Sequence, residues 1–321
     1  MPITQPTITA DTIYMGAAHI LFDTTKYLWA EGPVQVRLVR AELDVRVAGF
    51  GRISAPSTDE TIEITFQPSN RVNADILTYL YGGVLAAMPG ASYFGSTDTP
   101  IKVHTMAGRA LAVANCRPTV FPALQFGVGV KRFGGPVTLT GILKRNTARG
   151  TAGALFTDWA DLAWTADPDE ADYPQSPCQV AWASIANKNL EAMDAWVFAP
   201  QVSLRPLVLP NLGTVDYRID EVSAQVTATP ANLTEAELWQ TYAIGASRLL
   251  GKTVTGGDLT LAEDHPGLTA VVKNAVITPP TSTFDTQNPI GGQCVWTSRR
   301  KAVDGVWQPS ATLAATAAPQ G

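Results

Sequence analysis

Three histidines (His19, His104, His265) and three cysteines (Cys116, Cys178, Cys294) are the whole supply of imidazole and thiol in this 321-residue chain. No histidine has a second ligand at the i, i+4 spacing that would put both on one helix face, so a zinc site is not expected. The cysteines are odd in number, far apart and without a C-x-x-C pair; buried, reduced thiols made in a cytosol are the expectation. The G-x-G at Gly127 and Gly129 has no third glycine at the dinucleotide-binding spacing and precedes no helical pattern. Neither a G-x-S-x-G nor a G-x-x-x-x-G-K-[ST] stretch occurs. The acidic run from Asp167 to Asp172 starts like a calcium loop but lacks its glycine and its closing glutamate, and reads as a solvated linker. Two carboxylates could still serve a glycosidase, and their separation is not written in the spacing. No catalytic, cofactor or metal residue is assigned, and the chain is not expected to be an enzyme.

Eight tryptophans are the other reactive-looking set. Trp239 falls on the apolar face of a helical stretch and Trp296 on an alternating strand, so both are expected in a core. Trp29, Trp196 and Trp307 lie near loops or edges, where an aromatic anchor for a partner or a sugar would sit.

The elements that must position these residues recur. Ile64-Thr65-Phe66-Gln67-Pro68 is followed by Ala74-Asp75-Ile76-Leu77, and Val226-Thr227-Ala228-Thr229-Pro230 by Ala236-Glu237-Leu238-Trp239, 162 residues later. Each block reads as a strand stopped by proline and then a short helix. Asn73 is the expected cap of the first helix and Thr234 with Glu237 the capping box of the second; Gly83 and Gly245 are the expected left-handed ends. Upstream, Gln35-Val36-Arg37-Leu38 matches Gln201-Val202-Ser203-Leu204 at an offset of 166. Downstream, Gly108 to Asn115 matches Gly267 to Asn274 at 159, and Gly134 to Thr140 matches Gly291 to Thr297 at 157. Four blocks in one order indicate a duplicated unit.

Period-2 alternation of Ile62, Ile64 and Phe66 with Glu63, Thr65 and Gln67 marks strands. Many short strands, one short helix per copy, and 23 prolines with 26 glycines predict a mainly β (α+β) fold: two tandem β-sandwich or barrel domains, 1–165 with an N-terminal arm and 166–321 with a flexible C-terminal tail from Pro309. The join is expected in the Pro- and acid-rich stretch Thr165 to Gln179. Gly49, Gly51, Pro56, Ser57, Thr58 and Asp59 lie in a segment too long for a tight turn, expected to project and contact another subunit.

A charged fraction of 16% beside a hydrophobic fraction of 45% suits a surface covered by neighbours. The net charge of −5, with no basic run beyond Arg299-Arg300-Lys301, argues against a nucleic-acid grip. The start of the chain lacks a signal-peptide pattern and no 18-residue apolar stretch occurs, so no membrane partner is expected.

In the order of its parts the repeated unit resembles the tail tube (major tail) proteins of long-tailed bacteriophages. Those parts are a strand pair with a long loop, a strand ending in Pro68 or Pro230, a short helix, a G-x-x-x-x-V-x-N strand, a Gly-Gly turn and a Thr-rich strand. The resemblance covers roughly Gln35 to Lys144 and Gln201 to Lys301. It implies a structural virion protein, made in the host cytoplasm, that self-assembles into stacked rings around a channel for phage DNA, which passes without specific binding. It implies six-membered rings, hence three chains of a tandem-domain variant, and tape-measure and tail-terminator proteins as further partners. The stretch from Gly49 to Asp59 matches the family's inter-ring contact loop, while Pro206 to Thr214 is shorter and Pro-rich. A baseplate or capsid-decorating protein, or a tandem carbohydrate-binding module using Trp29 and Trp307, is the alternative.

Overall fold

The computed structural model describes residues 17–22, 26–54, 57–95, 99–142, 159–163, 175–186, 188–209, 213–245, 256–264, 267–278 and 292–315. The chain opens with β1 (Ala18–Phe22) and β2 (Lys26–Leu28), then a long hairpin built from β3 (Gln35–Glu42), β4 (Val45–Val47), β5 (Gly51–Ser54) and β6 (Ser57–Phe66). Helix α1 follows as Ala74–Leu77, a wider π turn Thr78–Gly82, and Gly83–Leu85. The first half continues through β7 (Ile101–Thr105), β8 (Arg109–Val113), β9 (Cys116–Val120), β10 (Leu124–Phe126), β11 (Val137–Ile142) and β12 (Ala160–Asp161). The second half has β13 (Gln179–Trp182), the hairpin β14 (Trp196–Leu209) and β15 (Gly213–Ala228), helix α2 (Leu233–Gly245), β16 (Gly257–Ala262), β17 (Leu268–Thr278) and β18 (Cys294–Thr297). It closes with β19 (Ala302–Val303), β20 (Val306–Trp307) and β21 (Ala311–Ala315). The fold is mainly β.

Strand pairing repeats between the halves. In the first, β3 pairs β6 with Val36 opposite Ile64; in the second, β14 pairs β15 with Phe198 opposite Val226, 162 residues on. The next neighbours are β11, with Leu139 opposite Ile64, and β18, with Trp296 opposite Val226. Beyond them Pro118 of β9 faces Leu139, and Ile277 of β17 faces Trp296. A second set runs β12-β8-β7-β1 in one half and β21-β17-β16-β13 in the other, with Val103 and Leu261 each between their two neighbours. The single bridges Ala30 to Pro68 and Ala192 to Pro230 also correspond at 162. Register thus corrects one sequence match: the counterpart of Gln35 to Leu38 is Val197 to Pro200, not Gln201 to Leu204. Four alternating residues identify a strand but not its phase along a longer strand, because any shift by an even number keeps the same face.

Within each half the two sheets bury their alternating apolar faces against each other and against the helix. Ile62, Ile64 and Phe66 are buried, and Glu63 and Thr65 between them are not. Gly141 of β11 sits where the first half's sheets come closest: a methyl there would meet Ile62 and lie 2.7 Å from Val113 Cγ1. Trp239 and Trp296 are buried as expected, and Trp196 joins them, its ring centroid 5.4 Å from that of Trp296.

Other expectations change. The segment around Gly49 to Asp59 is mostly ladder rather than loop: Val45 pairs Ser54, Val47 pairs Gly51, and Glu42 pairs Ser57. Only the turn between β4 and β5 is left, where Gly49 takes φ +83, a conformation that costs glycine little. Pro56 lies outside the described residues. The stretch from Pro206 is no shorter, since Pro206 faces Tyr217 within β14 and both hairpins span the same number of residues. The tail from Pro309 includes strand β21, paired with β17 from Leu268–Ala315 to Val272–Ala311. Its three alanines disfavour a strand, so the partner edge makes it. The expected join lies mostly outside the described residues, as does the run Asp167 to Asp172.

At the helices, Asn73 caps α1 through Oδ1, which accepts from Ile76 N–H at 2.9 Å. The second cap is Asn232, accepting from Glu235 N–H at 2.9 Å, rather than Thr234; α2 starts at Leu233 and asparagine caps at least as well as threonine. Gly83 is not a left-handed end: its φ is −76 and α1 continues to Leu85. The terminal carbonyls of α1 are satisfied instead from the other half.

Candidate functional site

Polar and aromatic groups meet at the seam between the two halves. Strand β10 leaves the first half and adds to the outer edge of β14, with Leu124 opposite Phe198 and Phe126 opposite Trp196. Leu124, Phe126 and Phe198 are fully buried there. The hairpin that carries β10 is held by Gln125 N–H donating to the Arg132 carbonyl at 2.9 Å and Gly134 N–H to the Ala123 carbonyl at 2.8 Å. A three-residue strand this short is held by its partners rather than by its own propensity.

Beside it, Arg132 and Glu263 form a two-pronged ion pair, Nη1 to Oε1 at 3.0 Å and Nη2 to Oε2 at 2.7 Å. Both side chains are sealed from solvent. Both are also tied to the backbone: Arg132 Nη1 donates to the Gln125 carbonyl at 2.8 Å, and Glu263 Oε1 accepts from Gly127 N–H at 2.6 Å. The Gly127–Gly129 pair therefore serves the seam, with Gly129 N–H donating to Gln175 Oε1 at 2.8 Å. Positive φ at both glycines, +136 and +74, turns these amides outward toward their acceptors.

Further along, the backbone after α1 pairs with the middle of β15. Gly90 N–H donates to the Ile219 carbonyl at 2.6 Å and Tyr93 N–H to the Tyr217 carbonyl at 2.8 Å. Asp216 fastens this stretch, accepting from Phe94 N–H at 2.9 Å and from the Ser92 hydroxyl. At the hairpins, Asp59 accepts from Thr214 N–H at 2.7 Å and from the Thr214 hydroxyl at 2.6 Å. Of the residues expected to contact another subunit, Asp59 thus binds the second half of its own chain. Thr58 donates to the Ala41 carbonyl at 3.2 Å across its own hairpin. The carbonyls at the end of α1 receive the Ser310 hydroxyl at 3.2 Å and, at Ala87, the Arg300 guanidinium. A cation on the negative end of the helix dipole adds to the hydrogen bond.

Arg132, Glu263 and Asp216 had no mark in the sequence, and the partner of Asp59 within its own chain had none, because these partners lie about 120 to 155 residues away. The one available signal was the G-x-G, set aside as a dinucleotide motif and used here for a carboxylate.

The histidines also come together unforeseen. His19 faces His104 across β1 and β7, and His104 Nδ1 meets the Tyr27 hydroxyl at 2.8 Å. His19 Nδ1 accepts from Ala30 N–H at 3.0 Å, and burial, with Arg71 and His104 adding repulsion, lowers its pKa to about 4. Half-buried Trp29 lies between His19, Tyr27 and Arg71, whose guanidinium carbon is 5.5 Å from its ring, and presents no open platform. Trp307 is exposed on the small β19–β20 hairpin. Among the described residues no group of three or more His, Cys, Asp or Glu could hold a metal ion, and no helix is long and apolar enough to cross a membrane.

The seam is therefore an adhesive surface: edge-strand addition, apolar anchors, one sealed ion pair and backbone donors met by carboxylates. Comparison with protein-family models and with curated proteins finds no match for this chain.

Proposed function

We propose that this chain is a structural subunit that self-assembles head to tail into rings, stacked as the tail tube of a long-tailed bacteriophage. The chain is read as two copies of one unit, 1–165 and 166–321, and three chains supply the six units of a ring. The observation that carries the reading is the addition of β10 to β14: one unit extends the sheet of the next by its edge. Such a contact is heterologous, so its repetition gives a closed ring or an open filament. It also removes exposed edges, which a β protein must otherwise protect. The repeated pairing scheme supports two equivalent units, and a net charge of −5 suits a channel through which DNA slides without binding. Tape-measure and terminator proteins are the further partners this role entails. The chain does no catalysis in this reading.

Negative-stain electron microscopy of the purified chain tests it. Rings or hollow tubes with three chains per ring are expected. A monomer that persists at high concentration, whatever the salt or time, overturns the proposal.

A further inference from the structure

We infer that the outer edge of β3 is the seat for another copy of this chain, joined there by strand addition as β10 is joined to β14. The inference rests on the head-to-tail reading above and names the surface that carries it.

β3 and β14 hold the same place in their halves, each pairing on one side with the long strand that precedes the helix. Their other sides differ. β14 is covered by β10, and Phe198 is 0% exposed. Among the described residues β3 ends its four-stranded sheet, and its equivalent residue Val36 is 40% exposed, with Leu38 at 42%. The residue equivalent to Leu38 is Pro200, which is buried. Two positions of one design are thus dry in one half and wet in the other, and at the first of them, Phe198, the strand that makes the difference belongs to this chain.

Proline placement separates the two edges again. Beyond the reach of β10, β14 carries Pro200 and Pro206, each lacking the N–H that an incoming strand would need. β3 has no proline from Gln35 to Glu42. An eight-residue edge left able to pair and bearing valine and leucine invites strand addition unless a partner occupies it. The occupant follows from the intact seam. The contact of this kind among the described residues is made between two units of this chain, and the first half has spent its own strand on β14. A second copy of this chain continues the series.

The test compares the wild-type chain with the double variant V36K/L38K, at positions exposed enough to accept charge without disturbing the core. Unchanged far-ultraviolet circular dichroism and urea midpoint verify its fold. Sedimentation velocity is expected to show the variant's assembly shifted to at least tenfold higher concentration. In the wild type, hydrogen exchange of residues 35–42 should slow at least tenfold on assembly, while residues 196–204 change little. If the variant does not fold, the exchange measurement decides alone. Wild-type assembly with 35–42 still exchanging freely, or assembly of the variant at the wild-type concentration, overturns this inference and leaves the tube reading standing. A wild-type chain that never assembles overturns both.

Discussion

Replacing Glu263 by alanine strands the Arg132 guanidinium in a dry seam. The pair is sealed, with side-chain exposures of 2% and 0%, so no water can take over from the carboxylate. Removing one partner of such a pair costs about 3–5 kcal/mol, mostly as the penalty of an uncompensated buried charge. The Gly127 N–H loses its acceptor as well, which adds about 1–3 kcal/mol. A loss of at least about 4 kcal/mol is expected for Glu263→Ala. With a urea m-value of about 3 kcal/mol/M for a chain this long, the midpoint falls by roughly 1.3 M. The double variant R132M/E263L strands no charge and keeps the volume filled, so its cost is limited to the unpaired Gly127 amide and Gln125 carbonyl, about 1–3 kcal/mol each, offset in part by the desolvation penalty the ion pair no longer carries. Urea unfolding followed by tryptophan fluorescence reads both, because Trp196 faces Phe126 next to the pair. The reasoning is refuted if Glu263→Ala costs under about 1 kcal/mol, or if the double variant is at least as unstable as the single one.

Three further outcomes are expected. Gly141→Ala drives a methyl to 2.7 Å from Val113 Cγ1 and closer to Ile62, so it should cost about 1–3 kcal/mol or more, and a neutral result in urea would mean the sheets can part. His19 is held to about 4 from 6.5 by burial first and by Arg71 and His104 after it. The unfolded chain therefore binds its proton first, and stability falls as pH drops from about 6.5 to about 4 and then levels. His19→Gln should flatten that part of the midpoint-against-pH curve; an unchanged slope would assign it elsewhere. The thiols of Cys178 and Cys294 are pushed up to about 12 and about 11 by burial, and that of Cys116 is raised further. Maleimide at pH 7 should leave all three unlabelled in the native chain and label all three in urea.

The mainly β character of the fold and the repeat were legible in the sequence, because they rest on local patterns. Alternation at Ile62, Ile64 and Phe66 and the cap at Asn73 are decided within a few residues, and both stand in the structure. The glycines matched at 108 and 267 both take positive φ, +78 and +71, at corresponding hairpins. At the second helix the T-x-x-E pattern misled: Asn232 caps, and Thr234 lies inside the first turn.

What tertiary structure alone decided is which residues of one half meet the other. Strand β21 exists because β17 offers it an edge, although the Ala/Thr/Pro-rich stretch that holds it reads as a tail. The stretch from Gly49 to Asp59 reads as a loop because glycine and proline punctuate it, yet opposed strands extend through it and Asp59 turns to Thr214. The opening histidines show the same division. Their spacing along the chain argued correctly that no helix pairs them, but antiparallel register brought His19 to His104 regardless. A periodicity is a property of neighbours in sequence, whereas an edge, a buried ion pair or an uncovered β3 is a property of neighbours in space. Only the folded chain sets those distances.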